Sequence, residues 1–233
     1  MTYEELKLAC EGYSCSINDE IIAKLSRYAA ALKEWNEKMN LTSITEENQV
    51  IEKHFFDCII TAKTYDFSSR LVAYIGSGAG FPGMIIALLF PTSKVTLIDA
   101  TKKKFAFLEF IKQELDLKNV EFYVGRVEEM KDKRQAYDVV ISRGFASMRV
   151  FLEVAAPICR ISGTIIAMKG SRGDEEMEKA KDMIRLTCVR LKKKEETTLP
   201  NGEVRINYFF AKDKATPKRF PRRWCEILLD NKE

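Results

Sequence analysis

One histidine, His54, is all that the 233 residues contain. A zinc site needs closely spaced Cys and His ligands, and here no C-x-x-C pair stands anywhere in the chain, so no metal centre is expected. The six cysteines, Cys10, Cys15, Cys58, Cys159, Cys188 and Cys225, are scattered rather than arranged as a disulfide framework. Reduced, mostly buried thiols are the expectation. Long apolar runs are missing too: residues 84–90, among the longest, fall far short of the ~20 residues that a membrane span requires. The first residues, Met-Thr-Tyr-Glu-Glu-Leu-Lys, offer no basic stretch followed by an apolar one, so no secretory signal is expected and a cytoplasmic location is the default. Internal repeats and low-complexity linkers are also lacking.

What is present is enough apolar material for a sizeable core, 46% of residues, with 31% charged and a net charge of only +4. The distribution of that charge says more than its sum. Lys102-Lys103-Lys104, Lys192-Lys193-Lys194 and the tail Pro217-Lys218-Arg219-Phe220-Pro221-Arg222-Arg223-Trp224 are local basic clusters. Each alone is an ordinary solvated face; three together, one interleaved with aromatics, point to a polyanionic partner.

Residues 1–65 read as a helical cap. Asn18 is placed as an N-cap, and Ile21, Ile22, Leu25, Tyr28, Ala29, Leu32, Trp35 and Met39 follow at helical spacing. A second helix starting near Thr45 carries Val50, Ile51, His54, Phe55, Cys58 and Ile59. From about residue 70 short β-branched runs (71–75, 94–98, 120–124, 137–142 and 164–168) alternate with helical stretches at 83–90, 101–115 and 148–159. Strand–helix alternation predicts βαβ units and a doubly wound, mostly parallel α/β sheet over residues 66–233. Strand-like runs at 186–192 and 204–212, joined by Pro200-Asn201-Gly202, predict a hairpin and an antiparallel edge.

The sharpest feature is Ile75-Gly76-Ser77-Gly78-Ala79-Gly80-Phe81-Pro82-Gly83, placed where the first strand ends and the first helix of the sheet begins. Glycines there permit positive φ and let a ligand approach the main chain, Pro82 suits the first turn of a helix, and the carboxyl end of a parallel strand is where such sheets bind ligands. Gly76, Gly78 and Gly80 make the G-x-G-x-G common in methyltransferases, whereas Gly78, Gly80 and Gly83 also satisfy the dinucleotide fingerprint G-x-G-x-x-G. Asp99 lies 21 residues after Gly78, where an acid can accept hydrogen bonds from ribose hydroxyls. Both adenosine cofactors contain a ribose, so this spacing leaves S-adenosylmethionine and a nicotinamide dinucleotide open.

The ordered set of residues resembles the bacterial small-subunit rRNA guanine-N7 methyltransferases, the glucose-inhibited division protein B family. The resemblance covers nearly the whole chain. It runs through Trp35-Asn36 with Asn40-Leu41-Thr42, His54 with Asp57, Gly76 to Gly83, Asp99, Lys103 with Phe107-Leu108, and Arg126-Val127-Glu128. It ends in Ser142-Arg143-Gly144-Phe145-Ala146, Lys169-Gly170 and residues 217–222.

What the resemblance implies is a Rossmann-like class I methyltransferase sheet. S-adenosylmethionine would sit against Gly76, Gly78, Gly80, Phe81, Asp99, Ala100, Thr101, Val127, Glu128 and Arg143, and the methyl group would go to guanine N7 of 16S rRNA, free or in the small subunit. In that reading Asp99 holds the ribose, Val127 and Glu128 meet the adenine, Arg143 borders cofactor and incoming nucleotide, and no dedicated general base is needed. Lys169, Lys218, Arg219, Arg222 and Arg223 would contact RNA phosphates. A monomer is the expectation.

Three positions depart from the family pattern. Tyr74 stands where an acid usually braces the glycine loop, which bears on cofactor affinity more than on its identity; Val127 and Gly144 replace alanines. The rivals are a nicotinamide-dependent dehydrogenase, supported by the alternative glycine spacing alone, and a non-catalytic RNA-binding ribosome-assembly factor, supported by Tyr74 alone.

Overall fold

The computed structural model describes residues 1–11 and 17–229. Four helical segments open the chain: α1 (Tyr3–Glu11), α2 (Asp19–Met39), α3 (Glu47–Val50) and, after a π-helical turn at Ile51–Phe56, α4 (Asp57–Lys63). Asn18 caps α2 as expected, its side chain accepting from the Ile21 N–H at 2.9 Å. The sheet begins with β1 (Leu71–Ile75), α5 (Gly83–Leu89), β2 (Lys94–Asp99), α6 (Lys104–Glu114) and β3 (Val120–Val124), then β4 (Tyr137–Arg143), α7 (Met148–Ile158) and β5 (Cys159–Lys169). The chain closes with α8 (Gly173–Lys179), α9 (Lys181–Leu186), the hairpin β6 (Val189–Thr198) and β7 (Val204–Lys212), and α10 (Trp224–Leu229).

The seven strands lie in the order β3-β2-β1-β4-β5-β7-β6; β1 to β5 pair in parallel, and β7 runs antiparallel to both β5 and β6. Strand order reverses between β1 and β4, which opens a crevice at the carboxyl ends of these strands. Side chains alternate across the sheet. Val72, Tyr74, Val139, Ile141, Ile166 and Met168 enter one core with α1 to α6, while Ala73, Ile75, Val140, Ile165 and Ala167 enter the other with α7, α9 and the chain end.

The expected strand at 186–192 needs correction at both ends. The run at 186–192 is not a strand from its start: Leu186 ends α9, and Cys188 at φ 60° breaks the helix before β6 begins at Val189. β6 instead extends to Thr198, well past Lys192, because β7 offers it a full-length partner. Cys10, Cys58 and Cys159 are buried free thiols, Cys188 is half-buried and Cys225 exposed; Cys15 lies outside the described residues. No helix among the described residues is long and apolar enough to cross a membrane, and no cluster of three His, Cys, Asp or Glu among them is placed to hold a metal ion.

Candidate active site

A cavity of about 360 Å³ opens at the carboxyl ends of β1, β2 and β4. Of the residues expected at the cofactor, Gly76, Gly78, Phe81, Asp99, Ala100, Val127, Glu128 and Arg143 line it; Gly80 and Thr101 do not. A second cavity of about 560 Å³ adjoins the first and shares His54, Arg143, Gly144 and Phe145 with it.

The glycines of the turn divide by what surrounds them. A Cβ on Gly80, at φ +96°, would collide with Tyr28 Oη and stand 2.8 Å from Met84 Cγ, and one on Gly83 would stand 2.7 Å from Tyr74 Cδ1. Both residues are glycine because core side chains press against them, the Tyr28 hydroxyl and Met84 at Gly80 and the Tyr74 ring at Gly83. Gly78 differs: at φ +53° its nearest neighbour would be 3.9 Å away, so it faces open space on the cavity side.

Two buried phenols hold the same turn from beneath. Tyr28 Oη donates to the Ala79 carbonyl at 2.6 Å and Tyr74 Oη to the Phe81 carbonyl. Tyr74 therefore fixes the loop from the position where the resemblance led to the expectation of an acid. It does so by donating to a carbonyl, where a carboxylate would accept from N–H groups.

Asp99 Oδ2 accepts from the Gly78 N–H at 3.1 Å and from Lys104 Nζ at 3.3 Å, and Oδ1 accepts from the Thr101 N–H at 2.8 Å. Thr101 thus supports the acid through its main chain from outside the cavity. Burial opposes the Asp99 charge, but the N–H groups of Thr101 and Gly78 outweigh it and hold the carboxyl below its ordinary pKa. Glu128 is the opposite case: burial pushes its carboxyl up, and Oε1 is buried without a hydrogen-bond partner. Ser77 Oγ is likewise buried and unpartnered. Buried polar atoms are nearly always paired, so two orphans in one cavity wall mark places prepared for another molecule's polar groups.

Across the cavity Arg143 is held by three partners. Nη1 donates to Asp57 Oδ2 and to the Lys53 carbonyl, both at 3.1 Å, and Nη2 lies 2.9 Å from His54 Nδ1. An arginine only donates, so Nδ1 is the acceptor and the proton sits on Nε2, which faces Thr42 Oγ1 at 3.1 Å. The imidazole stacks on Phe81 at 4.7 Å between ring centres, and Phe81 stacks on Tyr28 at 4.9 Å. Both ring nitrogens of His54 are engaged, so it orients Arg143 and is not free as a base. His54 and Asp57 stand 89 and 86 residues from Arg143, a separation across which sequence pattern carries no sign that they meet. The π-helical turn places them: one extra residue in a helical turn re-aims the side chains beyond it.

Burial first, and then the positive charge of Arg143, depress the His54 pKa from 6.5 to about 3. Between those values the unfolded chain binds a proton that the folded chain refuses, so stability rises with pH across this window and is lost as pH falls below 6.5. Urea unfolding at pH 7.0 and 5.5 should therefore show a loss of about 1 kcal/mol on acidification, and His54→Gln should remove that loss. An unchanged pH slope in the variant would mean that this histidine is not neutral in the folded protein.

The expected RNA-contacting residues scatter. Lys218 and Arg219 are exposed; Arg223 is exposed but paired with Glu226 at 2.7 Å. Arg222 is turned inward, gripping Glu153 with Nε at 2.8 Å and Nη2 at 2.7 Å, and that carboxylate is only 1% exposed. Lys169 is also drawn in, donating to the Ala146 carbonyl at 2.6 Å and to Glu176 at 2.7 Å. A buried carboxylate holds Arg222 and a half-buried one holds Lys169, which lines the second cavity. In the 192–194 cluster, Lys193 pairs with Glu195 and Lys194 with Asp174.

The family model for rRNA small subunit methyltransferase G matches residues 21–201. A Ribosomal RNA small subunit methyltransferase G of Mesoplasma florum is 37% identical over 215 residues, covering 92% of this chain and 91% of the relative. One of Streptococcus pyogenes serotype M1 is 38% identical over 228 residues, covering 96% of each. Among solved structures, a SAM dependent methyltransferase from Aquifex aeolicus has a TM-score of 0.54 at 15% identity, covering 69% of this chain and 92% of the other. M. jannaschii TYW2 in complex with AdoMet has a TM-score of 0.52 at 16% identity, covering 67% and 76%. These two show likeness of fold; the sequence relatives and the family model go further, and the chain belongs to the rRNA small subunit methyltransferase G family.

Proposed function

We infer that the protein is an S-adenosylmethionine-dependent methyltransferase that acts on N7 of a guanine in 16S rRNA. The observation that carries this reading is the first cavity, in which the glycine turn, Asp99 and Glu128 face one volume at the switch point of the sheet. Its residues fit the cofactor. Asp99 retains acceptor capacity for ribose hydroxyls, and the orphaned Glu128 Oε1 and Ser77 Oγ supply further polar partners beside apolar Ile75, Ile98 and Val127. When bound, S-adenosylmethionine supplies an electrophilic methyl group on a sulfonium.

The protein's part is positioning. Guanine N7 carries a lone pair in the neutral base, so no proton need be removed, and His54, engaged at both nitrogens, is not asked to remove one. Arg143, on the wall shared by the two cavities, orients the nucleotide, which enters through the second cavity past Lys53 and Arg205. Alignment of this kind supplies up to ~7–11 kcal/mol of a barrier. Residues 1–65 serve as a cap on the methyltransferase domain of 66–233, a division supported by Tyr28, His54 and Asp57 reaching the site from the cap. A cytoplasmic, monomeric enzyme completes the reading. The dehydrogenase and assembly-factor alternatives find no support among the relatives.

The decisive experiment is transfer of a labelled methyl from S-adenosylmethionine to small-subunit rRNA, mapped by mass. N7-methylguanosine is expected; methylation at another nitrogen, or none, would overturn the reading.

Lys218 and Arg219 are the tail cations offered to RNA. Neutralising both with glutamine should lower the slope of log affinity against log salt by about 1.5, each phosphate contact contributing ~0.7–0.9 to that slope. Arg222 must be left alone in this test, since removing it strands the Glu153 carboxylate. An unchanged slope would place the RNA elsewhere on the surface.

A further inference from the structure

We propose that Trp224, carried by the C-terminal segment, is the aromatic wall against which the purine ring of the cofactor packs. The inference rests on the cofactor reading above. The segment is fastened to the sheet domain on either side of this residue. Arg134 donates to the Thr216 carbonyl at 2.9 Å and to the Phe220 carbonyl at 2.7 Å, and the Phe220 ring is buried. Arg222 grips Glu153, and Ile227 of α10 is buried in the second core. Between these anchors the indole is held at the cavity with Arg126 over its ring at 5.3 Å and the Phe145 ring at 6.2 Å.

The neighbours identify what the indole would meet. Trp224 lines the first cavity together with Val127 and Glu128, and it takes no part in the second, through which the nucleotide would enter. An aromatic wall, an apolar side chain and a buried carboxylate oxygen that accepts no hydrogen bond, with Arg126 Nη1 3.8 Å away, describe a site for a flat heteroaromatic ring that bears an amino group. In S-adenosylmethionine that is the adenine. The methionine half offers a zwitterion instead, and belongs with the charged and main-chain groups across the cavity.

The chain has two tryptophans, so Trp35→Phe leaves Trp224 as the sole indole. Adding S-adenosylmethionine to that variant should quench or shift its emission, whereas Trp224→Phe, which keeps Trp35, should show no response. By calorimetry Trp224→Ala should raise the cofactor Kd on the order of tenfold, as loss of one base–aromatic stack does. Trp224→Phe should stay within about threefold, and the KM for RNA should not move. Cofactor affinity unchanged in Trp224→Ala, or a defect confined to RNA, would overturn the proposal. If that variant unfolds, the Trp35→Phe titration decides alone, and an unresponsive indole in a protein that binds cofactor overturns it equally. Wild-type protein that binds no S-adenosylmethionine would defeat the cofactor reading itself.

Discussion

Replacing Arg143 by alanine should cut methyl transfer by about 100-fold or more and lower stability by about 2–3 kcal/mol. The stability loss comes from Asp57, 3% exposed, which would keep only Arg205 Nε at 3.3 Å as a cationic partner. The activity loss comes from the shared cavity wall, where the guanidinium holds its place through Asp57, His54 and the Lys53 carbonyl while lying 5.7 Å from the Phe81 ring centre. Arg143→Lys separates the two effects. Lysine keeps the charge beside Asp57 but cannot make the planar, divided set of contacts, so it should restore most of the stability and little of the rate. Thermal unfolding and single-turnover transfer measured on both variants would check this. A lysine variant as fast as wild type would show that charge alone matters, and the positioning account would fail.

Gly80→Ala should be the most damaging small substitution in the turn, costing about 3 kcal/mol or more and lowering the melting temperature by about 6–12 °C. The methyl would enter space held by Tyr28 Oη and Met84 Cγ at a residue whose φ is +96°. Gly78→Ala is the control, because it meets no atom closer than 3.9 Å and bears only the cost of φ +53°, about 1 kcal/mol. It should fold nearly normally and lose cofactor affinity instead. Differential scanning calorimetry with and without S-adenosylmethionine would distinguish the two. Equal destabilisation of both variants would mean that backbone strain, not the packing of Tyr28, makes Gly80 necessary.

The parallel sheet was legible because its β-branched runs, its alternation with helices and its glycine turn all repeat on the scale of one βα unit. Asp99 was legible for the same reason: strand end, loop and acid stand within 24 residues of one another. What the sequence could not convey depends on long-range partners. Arg222 and Lys169 look like solvent-facing cations until Glu153 and Glu176 are brought beside them. His54, Asp57 and Arg143 come together only after an N-terminal helical segment with a π-helical turn is laid over the sheet. Trp224 read as one aromatic in a basic tail, and nothing in its neighbours revealed that the segment folds back to the cavity. The helices at Gly173–Lys179 and Lys181–Leu186 carry one ordinary helix-start signal, Asp174, Glu175 and Glu176 in the first turn of α8.

The two phenols beneath the glycine turn also bear on how binding free energy is spent. A glycine-rich segment left to itself loses much conformational entropy when a ligand orders it. Here Tyr28 and Tyr74, one from α2 and one from the first strand, fix carbonyls two residues apart before any ligand arrives. That preorganisation moves the ordering cost into folding, so association draws less on the ligand's own contacts.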